Sequence, residues 1–386
     1  MKNSNTTTML TPVLNNKVLL LLEKPSQQEL LLKSSSFMKY LEEKSGYDTY
    51  HTLMISAYDF EYPKTIKYKD YPKTNNLNFK LRNYDSDEHF TFFYKELKKT
   101  NISFFSQFEE LILFPDPDHT GVYAAIITLE KILGDNWQQY FKKITYMKIL
   151  SYDTDTIDKQ IDTLLFDEIN GKTLNDENKS FYEEWYKQGK IKRYFEYNYN
   201  INSNIFFKEI LKSLDKKYDF TLSKYMIMAF NFFYNEISDK GIRDADFFHK
   251  LQSYKGSGKY KESKDIHSWG IGGPASRARI VEMLIEVGLL EERIITKYNV
   301  KRKSYNPVTK IKSDKIIPEV KIHKYFKSEL GEKFFNLLSK KTFDKDLVFR
   351  LTNVWMLKSF EEAKNDIDTY IIEMFKTQKR KNKYLK

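Results

Sequence analysis

Cysteine is absent from the 386-residue chain, so neither disulfides nor thiolate metal ligands enter its chemistry. That absence fits a reducing, cytoplasmic setting. Histidine is scarce, with six residues scattered at no metal-ligand spacing. Long apolar runs are missing as well. No apolar run reaches the length needed to span a bilayer, Val18–Leu22 being only strand-sized, and no membrane association is expected. Residues 1–14 are polar and lack the charged-then-apolar order of a signal segment; they are expected to form a flexible arm. Acidic residues are outnumbered, 53 Asp and Glu against 64 Lys and Arg, and the net charge of +11 points to an anionic partner. Nucleic acid is the first candidate, although composition alone does not separate DNA from RNA or from an anionic membrane surface. With 28 Tyr and 29 Phe in a Lys- and Asn-rich chain, aromatic content by itself singles out no residue.

Two stretches carry the chemistry. Leu111-Ile112-Leu113-Phe114 is a continuously apolar run of the kind buried on both faces of a parallel sheet. It ends in Pro115-Asp116-Pro117-Asp118-His119-Thr120-Gly121, and a helical pattern follows over 122–133. Val18–Leu22 has the same form and ends in Glu23-Lys24-Pro25-Ser26, again before a helical pattern. In an open α/β sheet, acids that close such strands stand at the carboxyl edge, where ligands bind. Close carboxylates repel unless a cation or a proton lies between them. An Asp-Pro-Asp turn with a helix cap is the plainer alternative for Asp116 and Asp118.

A strand ending in Glu-Lys-Pro-Ser, followed by one ending in Asp-x-Asp-x-x-Gly, resembles the Toprim domain of type IA DNA topoisomerases, and the topoisomerase III branch most closely. Tyr71-Pro72-Lys73 through Phe79-Lys80-Leu81 resembles the stretch before that family's second motif. Further on, Trp269-Gly270-Ile271-Gly272-Gly273-Pro274-Ala275-Ser276-Arg277-Ala278-Arg279 resembles the family's Gly-x-Gly-x-Pro-Ala-Thr-Arg-Ala segment. The likeness continues into 280–286, Ile316-Ile317-Pro318 and 327–332. It implies an α/β Toprim-type parallel sheet with helices on both faces over 15–168. A mostly helical, winged-helix-like DNA-binding domain then covers 180–375, and a basic tail 376–386. It further implies a Mg²⁺ site at Glu23, Asp116 and Asp118, with Lys24 beside it for a phosphate, and single-stranded DNA held by Ser276, Arg277 and Arg279. Glycines that admit close backbone approach, with arginines near a helix start, suit phosphate contacts on physical grounds too.

Along the chain, helical spacing is expected over 27–41, 87–99 and 155–165, and strands over 52–57 and 144–150, with mostly helical periodicity from 180 to 237. An aromatic stripe in that last stretch reads as core. The Gly/Ser/Lys-rich run 253–259 lacks phosphate-loop spacing and a preceding strand, so it is not read as a nucleotide site.

The family pattern also breaks. Only 238–267 stands where a type IA topoisomerase carries its arch and nucleophilic tyrosine, too short for a gate. Ile144-Thr145-Tyr146 echoes the tyrosine motif, but its position suits a strand. Both glutamates of Asp-x-Asp-x-Glu-Gly-Glu are replaced, by Thr120 and Val122, which implies a weaker metal site. Three functions stay open: a DNA-binding accessory or split-enzyme subunit whose partner supplies the gate, a Mg²⁺-dependent nuclease, or a catalytically inert DNA-recognition module.

Overall fold

The computed structural model describes residues 18–23, 25–45, 50–54, 58–81, 105, 108–116, 118–147, 153, 155–159, 161, 177–215, 217–218, 220–256, 270–305 and 312–383, with position 220 included. They divide into two compact units. One comprises residues up to Glu61 together with Asn78–Arg193, the other Tyr62–Leu77 with Tyr194 onward.

The first unit is built on a four-stranded parallel sheet of β1 (Val18–Leu22), β2 (Tyr50–Met54), β5 (Glu110–Phe114) and β6 (Lys143–Tyr146), in the order β2-β1-β5-β6. A short antiparallel pair, β3 (Tyr58–Phe60) with β4 (Phe79–Leu81), stands apart from it. Every residue of β1 and β5 is buried, as the apolar runs Val18–Leu22 and Leu111–Phe114 require, with Glu110 at the start of β5 the one charged member. Alternation then sorts the side chains. Leu19, Leu21, Leu111 and Leu113 pack with α3 (His119–Leu133). Val18, Leu20, Leu22, Ile112 and Phe114 pack with α1 (Pro25–Lys33), α2 (Ser35–Ser45) and Ile157 and Ile161. Helices thus cover both faces, as the α/β reading expects.

One helix expected over 27–41 is instead two, broken at Ser34. The run Ser34-Ser35-Ser36 offers hydroxyls that compete with helical bonding. Ser34 Oγ donates to Asp158 Oδ1 (2.5 Å), which also accepts the Ser36 N–H (3.1 Å). These bonds, the one from Ser34 foremost, hold the Asp158 carboxyl below its ordinary range. At the opposite edge of the sheet from the candidate site, buried Glu110 accepts from Tyr40 Oη and Thr145 Oγ1, both at 2.7 Å, and lies 3.2 Å from Lys143 Nζ. A buried carboxylate is tolerated only with such company. The strand reading of Tyr146 holds, since it lies in β6 and is buried. The helix expected over 87–99 lies outside the described residues.

The second unit holds the later part of α4 (Glu177–Leu214), α5 (Lys224–Glu236), α6 (Asp244–Gln252), α7 (Pro274–Glu286), α8 (Glu329–Leu337), the short α9 (Leu347–Arg350) and α10 (Phe360–Asn382). The expected aromatic core is present: Phe375 packs against Tyr199, Phe206 and Phe207 at centroid distances of 5.7, 5.6 and 5.4 Å. Buried Asn198 bonds the N–H and C=O of Asn75 (2.6 and 3.0 Å), and Asn202 the Lys73 carbonyl (2.9 Å), which fastens the extended segment 62–77 to α4. Residues 376–382, expected within a basic tail, are the last turns of α10. Gln378 is fully buried there, and Lys379 caps the carbonyls of Tyr68, Lys69 and Tyr71.

The "mostly helical" expectation also missed a long hairpin. Strands β8 (Leu290–Tyr305) and β9 (Lys312–Lys327) pair antiparallel, and β7 (Ile242–Arg243) joins β9 at Tyr325 and Lys324. Each long strand carries five Lys or Arg and two Asp or Glu, so together they hold +6 of the chain's +11.

Candidate functional site

The carboxyl edge of the sheet brings Glu23 and Asp116 together. The register sets Leu22 beside Phe114, so both strands end at the same level. The Asp116 N–H donates to Glu23 Oε2 at 2.9 Å across a sequence gap of 93 residues. Gln27, on the first turn of α1 and only 1% exposed, ties the two acids: its Oε1 accepts the Glu23 N–H (2.7 Å) and its Nε2 donates to Asp116 Oδ1 (3.0 Å). The sequence reading missed Gln27, although its place four residues after Glu23 puts it within one helical turn of that acid.

Asp118 plays a different part. It is exposed, and its Oδ1 accepts the N–H groups of Thr120 (2.7 Å) and Gly121 (2.8 Å), which makes it the N-cap of α3. The plainer capping alternative therefore describes Asp118, while Asp116 faces Glu23 and Gln27. Gly121 is required for this closeness: a Cβ there would lie 2.5 Å from the Asp116 carbonyl and 3.0 Å from Glu23 Oε2. Lys24 lies outside the described residues.

Another cation, unforeseen from the sequence, stands at the start of α3. Lys192 of α4 donates to Thr120 Oγ1 at 2.9 Å. The early part of α4 seats on α3 at Gly189, where a Cβ would collide with the His119 carbonyl and the Tyr123 Cβ. Trp185 meets the His119 ring edge-on at 5.9 Å, and Tyr186 Oη donates to Glu130 Oε2 at 2.6 Å. A lysine in the midst of a long aromatic-rich helix gives no sequence signal of its own; only the Gly189 notch, three residues earlier, marks the close packing.

As a donor set, the edge offers two neighbouring carboxylates, each already engaged by a protein N–H donor, and a third carboxylate committed at Oδ1 to a cap. Among the described residues no three acids or histidines converge as a cage. Magnesium does not need one, since it keeps several waters and takes one or two carboxylates. The pair Glu23 and Asp116 fits that mode of binding.

The second group of predicted residues lies in the other unit. Gly270 and Gly272 have positive φ (90° and 77°) and shape the turn before α7. A Cβ at Gly270 would lie 2.8 Å from Arg277 Nη2, so the glycine admits the guanidinium against the turn. Arg277 is half-buried, its Nε has no hydrogen bond among the described residues, and burial lowers its pKa from the ordinary guanidinium value. Arg279 is exposed and already answered by Glu286 (2.9 Å) and Glu282 (3.5 Å) on its own helix. Ser276 Oγ donates to the Gly273 carbonyl (3.0 Å). Among the described residues no helix is long and apolar enough to cross a membrane. No family model matches the chain, and no curated protein is significantly similar to it.

Proposed function

We propose that the chain binds single-stranded DNA and is related to type IA DNA topoisomerases. It would act as an accessory or as one subunit of a split enzyme whose gate is carried by a partner. The observation that carries the reading is the convergence of two acids at the ends of adjacent parallel strands: the Asp116 backbone N–H donates to the Glu23 carboxylate, and Gln27 bonds both residues. Acids are not gathered this way at the mouth of a sheet without electrostatic cost, and a cation relieves it.

Glu23 and Asp116 would hold Mg²⁺, with Asp118 fixing the first turn of α3 beside them. A bound Mg²⁺ supplies charge neutralisation and polarises a phosphate oxygen. The chain's own contribution is positional. Lys192 and the amino end of α3 present positive charge to an anion at this edge. Arg277, with Ser276 at the same helix start, offers a further phosphate contact. Arg279 must first exchange its carboxylate partners, so it contributes less.

Two measurements test the reading. Affinity for a labelled oligonucleotide should fall steeply between two salt concentrations, because phosphate contacts release counterions; absent or salt-insensitive binding overturns the DNA assignment. In thermal melts, Mg²⁺ at tenfold its Kd should stabilise the wild type by about 1.4 kcal/mol. Asp116→Asn should melt slightly higher without metal and lose that increment. Equal shifts in both proteins, or none in either, overturn the metal assignment.

A further inference from the structure

We propose that the concave face made by β7, β8 and β9 grips the backbone of single-stranded nucleic acid through Lys297 and Lys324. This rests on the nucleic-acid reading above and adds to the Ser276–Arg277 contact a second place on the same unit where the strand is held.

The face encloses about 390 Å³ and is lined by Gly241, Ile242, Arg243, Asp246, Ile295, Lys297, Ile322 and Lys324. Its floor is apolar: Ile295 and Ile322 are direct cross-strand partners, and their side chains lie on the same side of the pleat. Cations rim that floor. Arg243 sits opposite Lys324 in the β7–β9 register, and Lys297 is two residues beyond Ile295 on β8. The one carboxylate in the lining, Asp246, is taken up bidentately by Arg243 at 2.7 and 3.0 Å. Among the described residues, neither Lys297 nor Lys324 has a carboxylate partner, in contrast to Arg279, which has two.

Ammonium groups beside an apolar floor suit an anion that also brings apolar surface. A single strand provides both, alternating phosphates with unstacked base faces. A duplex offers phosphates but keeps its base faces stacked, so the isoleucine floor would go unused. The surrounding hairpin, at +6 over its two strands, extends the favourable field along the path of the strand.

The test measures anisotropy of a labelled fifteen-residue oligothymidylate against salt, for the full chain and for Lys297→Ala/Lys324→Ala. Each phosphate contact on a single strand contributes about 0.7 to the log–log salt slope, so the double variant should lose about 1.4. The same slope makes it about 25-fold weaker at 0.1 M salt, with the gap closing towards 1 M. A control pair, Lys131→Ala/Lys340→Ala, removes two exposed lysines elsewhere and should change little. If the wild type binds and the cavity variant keeps its affinity and slope, or the control pair falls equally, the cavity assignment is overturned while DNA binding stands. If the wild type binds no nucleic acid, the functional reading itself fails. Tighter binding of the matching duplex, or displacement of the strand by polyglutamate at equal charge, also overturns the single-strand assignment.

Discussion

The acidic sheet edge and the basic hairpin solve the same problem, presenting charge to a ligand, in opposite ways. At the sheet edge the described charged groups are positioned by close neighbours: Asp116 by Glu23 and Gln27, Asp118 by the first turn of α3, Lys192 by Thr120. The hairpin instead spreads its charge over two sixteen-residue strands, with Lys297 and Lys324 unpaired among the described residues. A site built by mutual positioning is sensitive to single atoms, whereas a distributed one degrades a fraction at a time. Carboxylates must be crowded to hold a cation, so their repulsion has to be offset by fixed donors. Lysines that meet a long polyanion need only be on the right face.

The sharpest way to break the comparison is at Gly189. In an exposed helix, Gly→Ala stabilises by about 0.5–1 kcal/mol. Here the added methyl meets the His119 carbonyl, so Gly189→Ala should destabilise by about 1–3 kcal/mol, the cost of overpacking. A chemical-denaturation midpoint above that of the wild type would show that α4 does not seat on α3 as described.

Asp118 separates cap from ligand. Asp118→Ala removes the acceptor for two N–H groups and should cost about 1 kcal/mol without metal, while Asp118→Asn, also a good cap, should cost less than half as much. Melts of both variants with and without Mg²⁺ read the two roles independently. Loss of the Mg²⁺ increment in Asp118→Asn, at unchanged apo stability, makes Asp118 a ligand as well as a cap.

The smallest effect concerns pH. Burial raises the Glu130 carboxyl above its ordinary pKa, and the bond from Tyr186 only partly offsets this. A folded-state value above the unfolded one means that stability is fully present at low pH and is lost as pH rises through the folded value. Glu130→Gln keeps an acceptor for Tyr186 and removes the charge, so it should stabilise by a few tenths of a kcal/mol at pH 7, the group being half exposed to screening water. The difference should vanish below about pH 4. A gap that widens on acidification would reverse the assignment.

Much of the first unit was legible because its strands are unambiguous. Continuous runs such as Val18–Leu22 and Leu111–Phe114 admit a buried parallel sheet and little else, and the acids that end them followed from that. Gln27 and Lys192 were not legible, since their roles depend on which helix turn faces the acids, a tertiary fact. The hairpin escaped for a different reason. In Lys321-Ile322-His323-Lys324-Tyr325-Phe326 and its partner strand, charges and apolar residues mix without a clean period, so neither helix nor strand spacing dominates. The end of α10 was hidden likewise: a run as basic as 379–383 reads as solvated, yet Lys379 and Lys381 spend their charge on backbone carbonyls.

One feature of the hairpin bears on how the protein behaves at high concentration. In the order β7-β9-β8, the outer side of β8 has no strand beside it among the described residues, and β7 covers just two residues of β9. Long open edges of this kind recruit strands from other copies. Midway along, Asn299 adopts a left-handed backbone (φ 52°) opposite Pro318, which has no amide hydrogen to donate, and the ladder is interrupted there. Together with its dense lysines, that break guards the edge against self-assembly. Screening those lysines with salt, or neutralising them in bulk, would leave the Asn299–Pro318 break as the main barrier to edge-to-edge growth, so solubility and charge on this hairpin are bound together.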